Sequence, residues 1–453
     1  MNIRYILSHK LGIDAAVFYT LMGRIMQIGT AVCTVLFIGK YLSPEEQGFY
    51  YTFGSLAAIQ VFFELGLTSI VTQFVAHESS GIVCLENGLY DGDAYHKSRL
   101  SSLLHFCVKW YAIFAVIMMI ILTIVGIYFF KTYNDSENVN WYIPWVLLVI
   151  GTAVNFFTAP LSSFIEGLGK VKEIAQIRLV QQLFYPIIIW GGLILQARLF
   201  VLGLYSLSSA IIFIVVIRLT TSWKMLCNIW HESLSDVIGY KEEIFPLQWR
   251  IAISWISGYF IFQLFSPVLF ATEGAIVAGQ MGMTMAALNS LNAMIQSWIS
   301  TKIPVMSKYI ALKEYFVLDT LFLKTMKQML LIGTMILVFF VIIIFVIQEC
   351  DIYFFGINNI GDRFLPMMPL CLMSWSIWTL VPINCWATYL RCHKREPLMW
   401  NSLVVGCLCC VSTLFFGTLY GLYGICISFA LLRFISLIWI YVIYKKKKNE
   451  WHS

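Results

Sequence analysis

The chain contains a succession of apolar runs, each about as long as a membrane is thick. A helix that crosses the hydrocarbon of a bilayer needs roughly 20 apolar residues. Only 12% of the 453 residues are charged, whereas a soluble domain averages about 25%. The sequence therefore predicts an all-α integral membrane protein with about twelve transmembrane helices in two six-helix lobes. The predicted spans are 14–39, 51–76, 103–130, 141–165, 174–196, 199–218, 248–271, 275–300, 328–348, 364–389, 398–417 and 422–443.

Basic residues are distributed unevenly between the segments that flank these spans. With a cytoplasmic N-terminus, the inner segments carry 23 of the 30 Lys and Arg residues, including Lys445 to Lys448 in the C-terminal tail. Such an excess is typical of cytoplasmic loops. We therefore predict a multi-pass membrane protein with both termini cytoplasmic. Its net charge of +6 indicates contact with anionic membrane lipids rather than with nucleic acid.

A weak internal repeat relates the two halves of the chain. YLSPEEQGFYYTFGSLAAIQ follows the first predicted span, and LFATEGAIVAGQMGMTMAALN follows the seventh. We predict an N-terminal six-helix lobe at 1–218, a cytoplasmic linker at 219–246 and a C-terminal six-helix lobe at 247–453. Because each half has an even number of spans, both insert with the same orientation, as in transporters with parallel repeats.

Polar residues recur at helical spacing inside several predicted spans. An ionisable side chain within the membrane usually faces a bundle interior or a water-filled cavity, and residues three or four apart share a helix face. The candidate cavity residues are Arg24, Gln27, Glu64, Asn155, Asn289, Asn292, Gln296 and Arg433. The alternatives are a structural Arg24–Glu64 ion pair and, for the Asn289–Ser300 stripe, hydrogen bonds between helices.

Glu64 is also the candidate for binding a coupling ion, either a proton or Na⁺. The sequence has no glycine-rich nucleotide-binding loop, so direct use of ATP is not expected. No cofactor and no metal site are predicted, and no residues are expected to be catalytic. Only Cys350 falls in an outer loop, so we interpret the cysteines as small packing residues.

Three segments resemble a known family. LSPEEQGFYYTF, ELGLTS and EGLGKVKE are similar to segments of polysaccharide transporters in the multidrug/oligosaccharidyl-lipid/polysaccharide exporter superfamily, in particular the O-antigen and capsule repeat-unit flippases (Wzx-like). Where that family often has Asp-Leu-Gly-Leu, this chain has Glu64 to Leu67. The Gly169-Lys170 loop is intact, but its second copy reads Arg391-Cys392.

The resemblance implies two lobes around a central cavity that opens alternately to either side. It also implies a polyprenyl-pyrophosphate-linked oligosaccharide as cargo, carried across the inner membrane for O-antigen, capsule or exopolysaccharide synthesis. A polymerase and a chain-length regulator are the protein partners that it suggests.

Three other functions compete with this interpretation. A peptidoglycan-precursor lipid flippase and an ion-coupled multidrug exporter belong to the same superfamily, and the exporter is expected to have an acidic or apolar cavity. A membrane-embedded polysaccharide polymerase is expected to have a long basic outer loop, and an acyltransferase an intramembrane histidine. The sequence shows no such loop, and the histidine within a predicted span, His105, lies near the inner end of 103–130, so a transporter is favoured over an enzyme.

Overall fold

The protein is built almost entirely from long helices. The structure, a computed structural model, describes residues 15–84, 90–134, 138–350, 360–393, 395 and 397–452. The N-terminal tail with Arg4 and Lys10, and also Lys394, lie outside the described residues.

The first half of the chain runs from α1 to α9 and includes one short hairpin. The hairpin pairs Ile82 with Gly92 and Cys84 with Tyr90 in antiparallel register. The bounds are α1 Ala15–Tyr41, α2 Pro44–Ala57, α3 Val61–Glu64, α4 Leu67–Glu78, β1 Ile82–Cys84, β2 Tyr90–Gly92, α5 Ala94–Tyr133, α6 Tyr142–Gly167, α7 Val171–Ile194, α8 Phe200–Arg218 and α9 Thr221–Trp230.

In the second half of the described chain the regular elements are all helices, and the last of them is interrupted. Gly421 has φ 55° and ψ −136°, which breaks that helix near the predicted boundary between 398–417 and 422–443. The bounds are α10 Phe245–Phe262, α11 Phe265–Glu273, α12 Ala275–Ser300, α13 Ile303–Ala311, α14 Tyr315–Glu349, α15 Met367–Cys392 and α16 Met399–His452.

Length and apolar composition identify the helices that are able to cross a membrane. In the described part of the chain there are nine such helices, or up to ten if the bent pair Pro44–Glu64 and Leu67–Gly81 forms one span. Each predicted span coincides largely with helix, but α12 is not among those nine, and α16 counts once although it is broken at Gly421. The multi-pass membrane fold is confirmed, whereas the number twelve stays a prediction.

The helices form two compact units. The first contains 1–30, 57–132 and 140–255, and the second contains 31–56, 133–139 and 256–453. In the first unit α6 packs closely on α8 because small residues face it: Gly151 lies against Ser206, and Gly203 against Leu147. In the second unit Phe322, Tyr389 and Met306 are buried in one apolar cluster.

The unit boundaries differ from the predicted lobes at 31–56, 133–139 and 247–255. At 31–56 the difference arises because the first repeat segment packs on the second. A side chain at Gly48 would collide with the Ala275 carbonyl, and one at Gly279 with the Gly48 backbone. Gln47 Nε2 donates to the Gly279 carbonyl at 2.9 Å and to the Arg363 carbonyl at 3.0 Å. Because Gly48 and Gly279 have no side chain, the two backbones approach closely, and the Gln47 hydrogen bonds join them. The sequence repeat is therefore also a contact within the second unit.

Most of the linker between the predicted lobes is fixed to the start of α5 by charged and polar contacts. Arg99 Nε donates to Glu78 Oε1 at 2.9 Å, and its Nη2 donates to Glu243 Oε2 at 2.5 Å. His96 Nδ1 lies 2.9 Å from the other oxygen of Glu78. Ser102 Oγ accepts from the backbone N–H of Ile238 at 3.1 Å. The segment is therefore an ordered part of the first unit rather than a free tether.

Replacing Arg99 with alanine is expected to destabilise the protein strongly. The Glu78 side chain is only 5% exposed, and removing one partner of a buried ion pair costs about 3–5 kcal/mol, because the other charge is left uncompensated. The midpoint of thermal unfolding in detergent measures this loss.

Lys97→Ala is the matched control, two residues away on the same helix. Lys97 pairs with Asp91 at 3.4 Å, but the Asp91 side chain is 86% exposed, so we expect a loss of less than about 1 kcal/mol. Equal unfolding midpoints for the two variants would contradict a stabilising role for the Arg99 network.

Candidate functional site

A polar cavity of about 450 Å³ lies within the second unit. Its wall combines two arginines, four asparagines and two serines with aliphatic side chains, and we call it the amide cavity. The polar lining residues are Asn289, Asn292, Asn384, Arg391, Asn401, Ser402, Arg433 and Ser436.

Three long helices place these side chains around one space. Asn289 and Asn292 are three residues apart on α12, and Asn384 and Arg391 are seven apart on α15; both spacings keep the residues on one helix face. α16 contributes twice, with Asn401 before its break at Gly421 and with Arg433 after it. The break thus separates two parts of α16 that both contribute side chains to the cavity wall.

Arg433 is the most deeply buried charge in the amide cavity. Only 4% of its surface is exposed, and its Nε and Nη2 atoms have no hydrogen-bond partner among the described residues. The Nδ2 of Asn401, which is 3% exposed, likewise has no partner in the described part of the chain. Buried polar groups are nearly always paired, and an uncompensated charge in a low-dielectric setting is costly. These donors are therefore available to hydrogen-bond acceptors on a ligand.

The amide cavity unites three of the predicted site residues. Arg433, Asn289 and Asn292 line it, and Gln296 Nε2 lies 3.4 Å from Asn292 Oδ1 on the same helix. The sequence interpretation missed Asn401, Asn384 and Arg391. The seven-residue spacing on α15 was a signal that could have identified the last two.

The predicted site residue Asn155 lies elsewhere, in the first unit. Its Nδ2 donates to the Ser206 carbonyl at 2.6 Å and to the Gly151 carbonyl at 3.0 Å, which joins α6 to α8. Asn155 also lines a pocket of about 220 Å³ together with Arg178 and Gln181. Arg178 Nη2 is 2.8 Å from Glu166 Oε1, so this pocket contains a cation that is already neutralised.

Glu64 lies at a break in the second predicted span rather than on one continuous helix. Leu65 and Gly66 both have positive φ, 50° and 68°, and the two parts of the span are bent by 42°. A side chain at Gly66 would also collide with Ile251, so glycine is needed there for both its conformation and its size. The polar residues Gln60, Glu64, Thr68 and Thr72, which are spaced by four in the sequence, are thus divided between two helical segments.

The carboxylate of Glu64 is bound locally. Glu64 Oε1 accepts a hydrogen bond from Thr68 Oγ1 at 2.5 Å, and Thr68 is the second residue of α4. The N-terminus of a helix carries a partial positive charge that favours an adjacent carboxylate. Glu64 is half-buried, whereas Arg24 and Gln27 are exposed on α1. Within the described ranges no ion pair joins Glu64 to Arg24, so the expected pairing is not found.

Within the part of the chain that the structure describes, no group of three or more acidic, histidine or cysteine side chains is placed to hold a metal ion. The amide cavity instead offers amide N–H groups and guanidinium groups, which bind oxygen acceptors on a ligand.

Comparisons with known proteins identify the fold. No family model and no curated protein sequence matches the chain. An inward-facing multidrug resistance MATE family transporter of the MOP superfamily is 14% identical, with 93% of this chain and 98% of that chain covered and a TM-score of 0.59.

Two further solved structures agree with this one. The lipid II flippase MurJ, in an inward closed conformation, is 13% identical, with 95% of this chain and 87% of that chain covered and a TM-score of 0.60. An outward-facing MATE family transporter is 14% identical, with 96% of each chain covered and a TM-score of 0.51. This chain therefore has the helical membrane fold that is shared by MATE transporters and by the flippase MurJ.

Proposed function

We propose that this protein is a flippase. Its cargo is a polyprenyl-pyrophosphate-linked oligosaccharide repeat unit, which it moves across the bacterial inner membrane by alternating access for O-antigen, capsule or exopolysaccharide synthesis. The observation that carries the proposal is the amide cavity, where the Arg433 guanidinium is buried without hydrogen-bond partners at Nε and Nη2. No ATP is consumed directly, and the prenyl chain remains in the bilayer.

The chemistry of the cavity fits the two polar parts of this cargo. A guanidinium group pairs with phosphate oxygens in two-pronged geometry, which suits the pyrophosphate. Amide and hydroxyl groups replace the water that the sugar hydroxyls lose, and that loss is costly when it is not compensated. Asn289, Asn292, Asn384, Asn401 and Ser436 supply such groups.

The residues that line the amide cavity also help to distinguish between the alternative functions. An exporter of cationic drugs needs an acidic or apolar cavity, and among the residues that the structure describes no acidic side chain lines the amide cavity. A peptidoglycan-precursor flippase handles the same lipid pyrophosphate, and the similarity in fold to MurJ supports this second candidate. The two candidates differ in the sugar part of the cargo.

Reconstituted vesicles test the proposal. Purified protein is placed in liposomes with a polyprenyl-pyrophosphate oligosaccharide. Binding of an external lectin to the oligosaccharide is then followed over time. We expect exposure to increase only in vesicles that contain the protein. Parallel assays with lipid II and with a cationic dye separate the alternatives. Transport of the dye but not of the lipid-linked sugar would contradict the proposal.

A further inference from the structure

A second pocket lies beside the amide cavity in the second unit. It has a volume of about 480 Å³ and lies between the short helix α13 and the end of α15. We call it the interfacial pocket. Its lining residues are Ile303, Ser307, Ile310, Ala311, Thr388, Arg391, Cys392 and His393.

Arg391 belongs to the walls of both cavities. It lines the interfacial pocket together with Cys392 and His393, and it lines the amide cavity together with Arg433. A guanidinium group stays protonated at every physiological pH. The two cavities therefore share a permanent positive charge at their common wall.

The helix that covers the interfacial pocket has the character of a membrane-surface helix. α13 packs inward through Met306, which is fully buried, while Ile303 and Val305 remain about 40% exposed. Lys302 precedes it, and Lys308 is exposed in its last turn. Exposed apolar residues beside lysines are typical of helices that lie in the headgroup region and bind anionic lipids.

We propose that the interfacial pocket receives the pyrophosphate headgroup of the polyprenyl-linked cargo from the membrane surface and that Arg391 guides this headgroup into the amide cavity. The inference rests on the proposed function and specifies where the cargo is first bound. The apolar residues Ile303 and Ile310 contact the first part of the lipid chain, while Ser307, Thr388 and Arg391 bind the headgroup.

Alkylation of Cys392 provides the test, because this thiol lines the interfacial pocket. The full-length protein is placed in phosphatidylcholine nanodiscs and treated with a small maleimide, and labelling is measured per peptide by mass spectrometry. We expect polyprenyl pyrophosphate to slow labelling of Cys392 several-fold. Cys371 is exposed in a separate apolar groove, and its labelling rate should not change.

The Arg391→Ala variant tests the role assigned to the shared charge. Each variant is compared with and without lipid, so a change in the intrinsic reactivity of Cys392 cancels. We expect protection to disappear in Arg391→Ala and to persist partly in Arg391→Lys. Full protection in Arg391→Ala, or no protection of the wild-type protein by polyprenyl pyrophosphate, would overturn the proposal.

Two further probes identify the source of the phosphate. Protection by inorganic pyrophosphate as well as by the polyprenyl lipid would support recognition of the headgroup. Protection only by nanodiscs that contain phosphatidylglycerol would overturn the proposal, because the pocket would then hold an ordinary anionic phospholipid.

The outcomes for the pocket and for the function are distinguishable. If the lipid protects Cys392 but the reconstituted protein does not flip the lipid-linked sugar, the proposed function fails and the lipid site stands. If the sugar lipid is flipped while Cys392 remains unprotected, the function stands and the interfacial pocket is not its route.

Discussion

Replacing Arg433 with alanine is expected to reduce transport of the lipid-linked oligosaccharide about 30-fold or more while leaving the protein folded. Truncating one partner of a buried charge pair between protein and ligand costs about 2–5 kcal/mol, and each 1.4 kcal/mol is a factor of about ten. Initial rates in reconstituted vesicles measure the effect. Arg433→Lys should recover part of the rate, because it restores the charge without the two-pronged geometry.

The effect on stability separates a binding role from a structural role. Nε and Nη2 of Arg433 have no partner to lose, and burial of an uncompensated charge is unfavourable. The alanine variant should therefore unfold at the same temperature as the wild type or at a higher one. Arg250, which is exposed on α10, is the matched control, and Arg250→Ala should retain transport. A large drop in unfolding temperature for Arg433→Ala would show that the residue is structural.

Part of the amide cavity could be predicted because some of its residues are recognisable from the sequence immediately around them. Asn289 and Asn292 lie three residues apart, and Arg433 is an isolated charge within an apolar run. Helical periodicity alone places Asn289 and Asn292 on one helix face. Asn401 could not be joined to Arg433 in the same way, since they lie on two sides of the Gly421 break. Their meeting depends on packing between distant parts of the chain.

Helices were predicted more accurately than their interruptions. Long apolar runs produce helices in a membrane because each backbone polar group must be satisfied within the segment. Leu65 adopts a positive φ, which is uncommon for leucine, and the residue pattern around Leu65 does not predict it. The assignment of 31–56 to the second unit likewise depends on contacts that Gln47 and Gly48 make with residues of α12, which lie far away in the sequence.

Glu64 lies at such an interruption, and we propose that it binds the ion that couples transport to a gradient. Broken helices in transporters place charged groups and helix ends at ion sites. The Glu64 carboxylate lies at the break with Thr68 as its hydrogen-bond donor. Because no ion pair with Arg24 is present among the described residues, neutralising Glu64 does not leave a buried arginine uncompensated. The two roles of Glu64, coupling and structure, therefore predict different results.

Glu64→Gln is expected to be produced at normal levels and to bind cargo, but its transport should no longer depend on a pH or Na⁺ gradient. The glutamine amide oxygen is still able to accept the Thr68 hydrogen bond, so the substitution removes the charge and keeps the shape. Thr68→Val is the matched control, since it removes the hydrogen bond and retains the carboxylate, and its transport should remain gradient-dependent. The measurement is the transport rate in vesicles with imposed H⁺ or Na⁺ gradients of either direction. An unchanged response of Glu64→Gln to both gradients would exclude Glu64 as the coupling residue. A loss of the Glu64→Gln protein from the membrane would instead show that the carboxylate stabilises the broken helix.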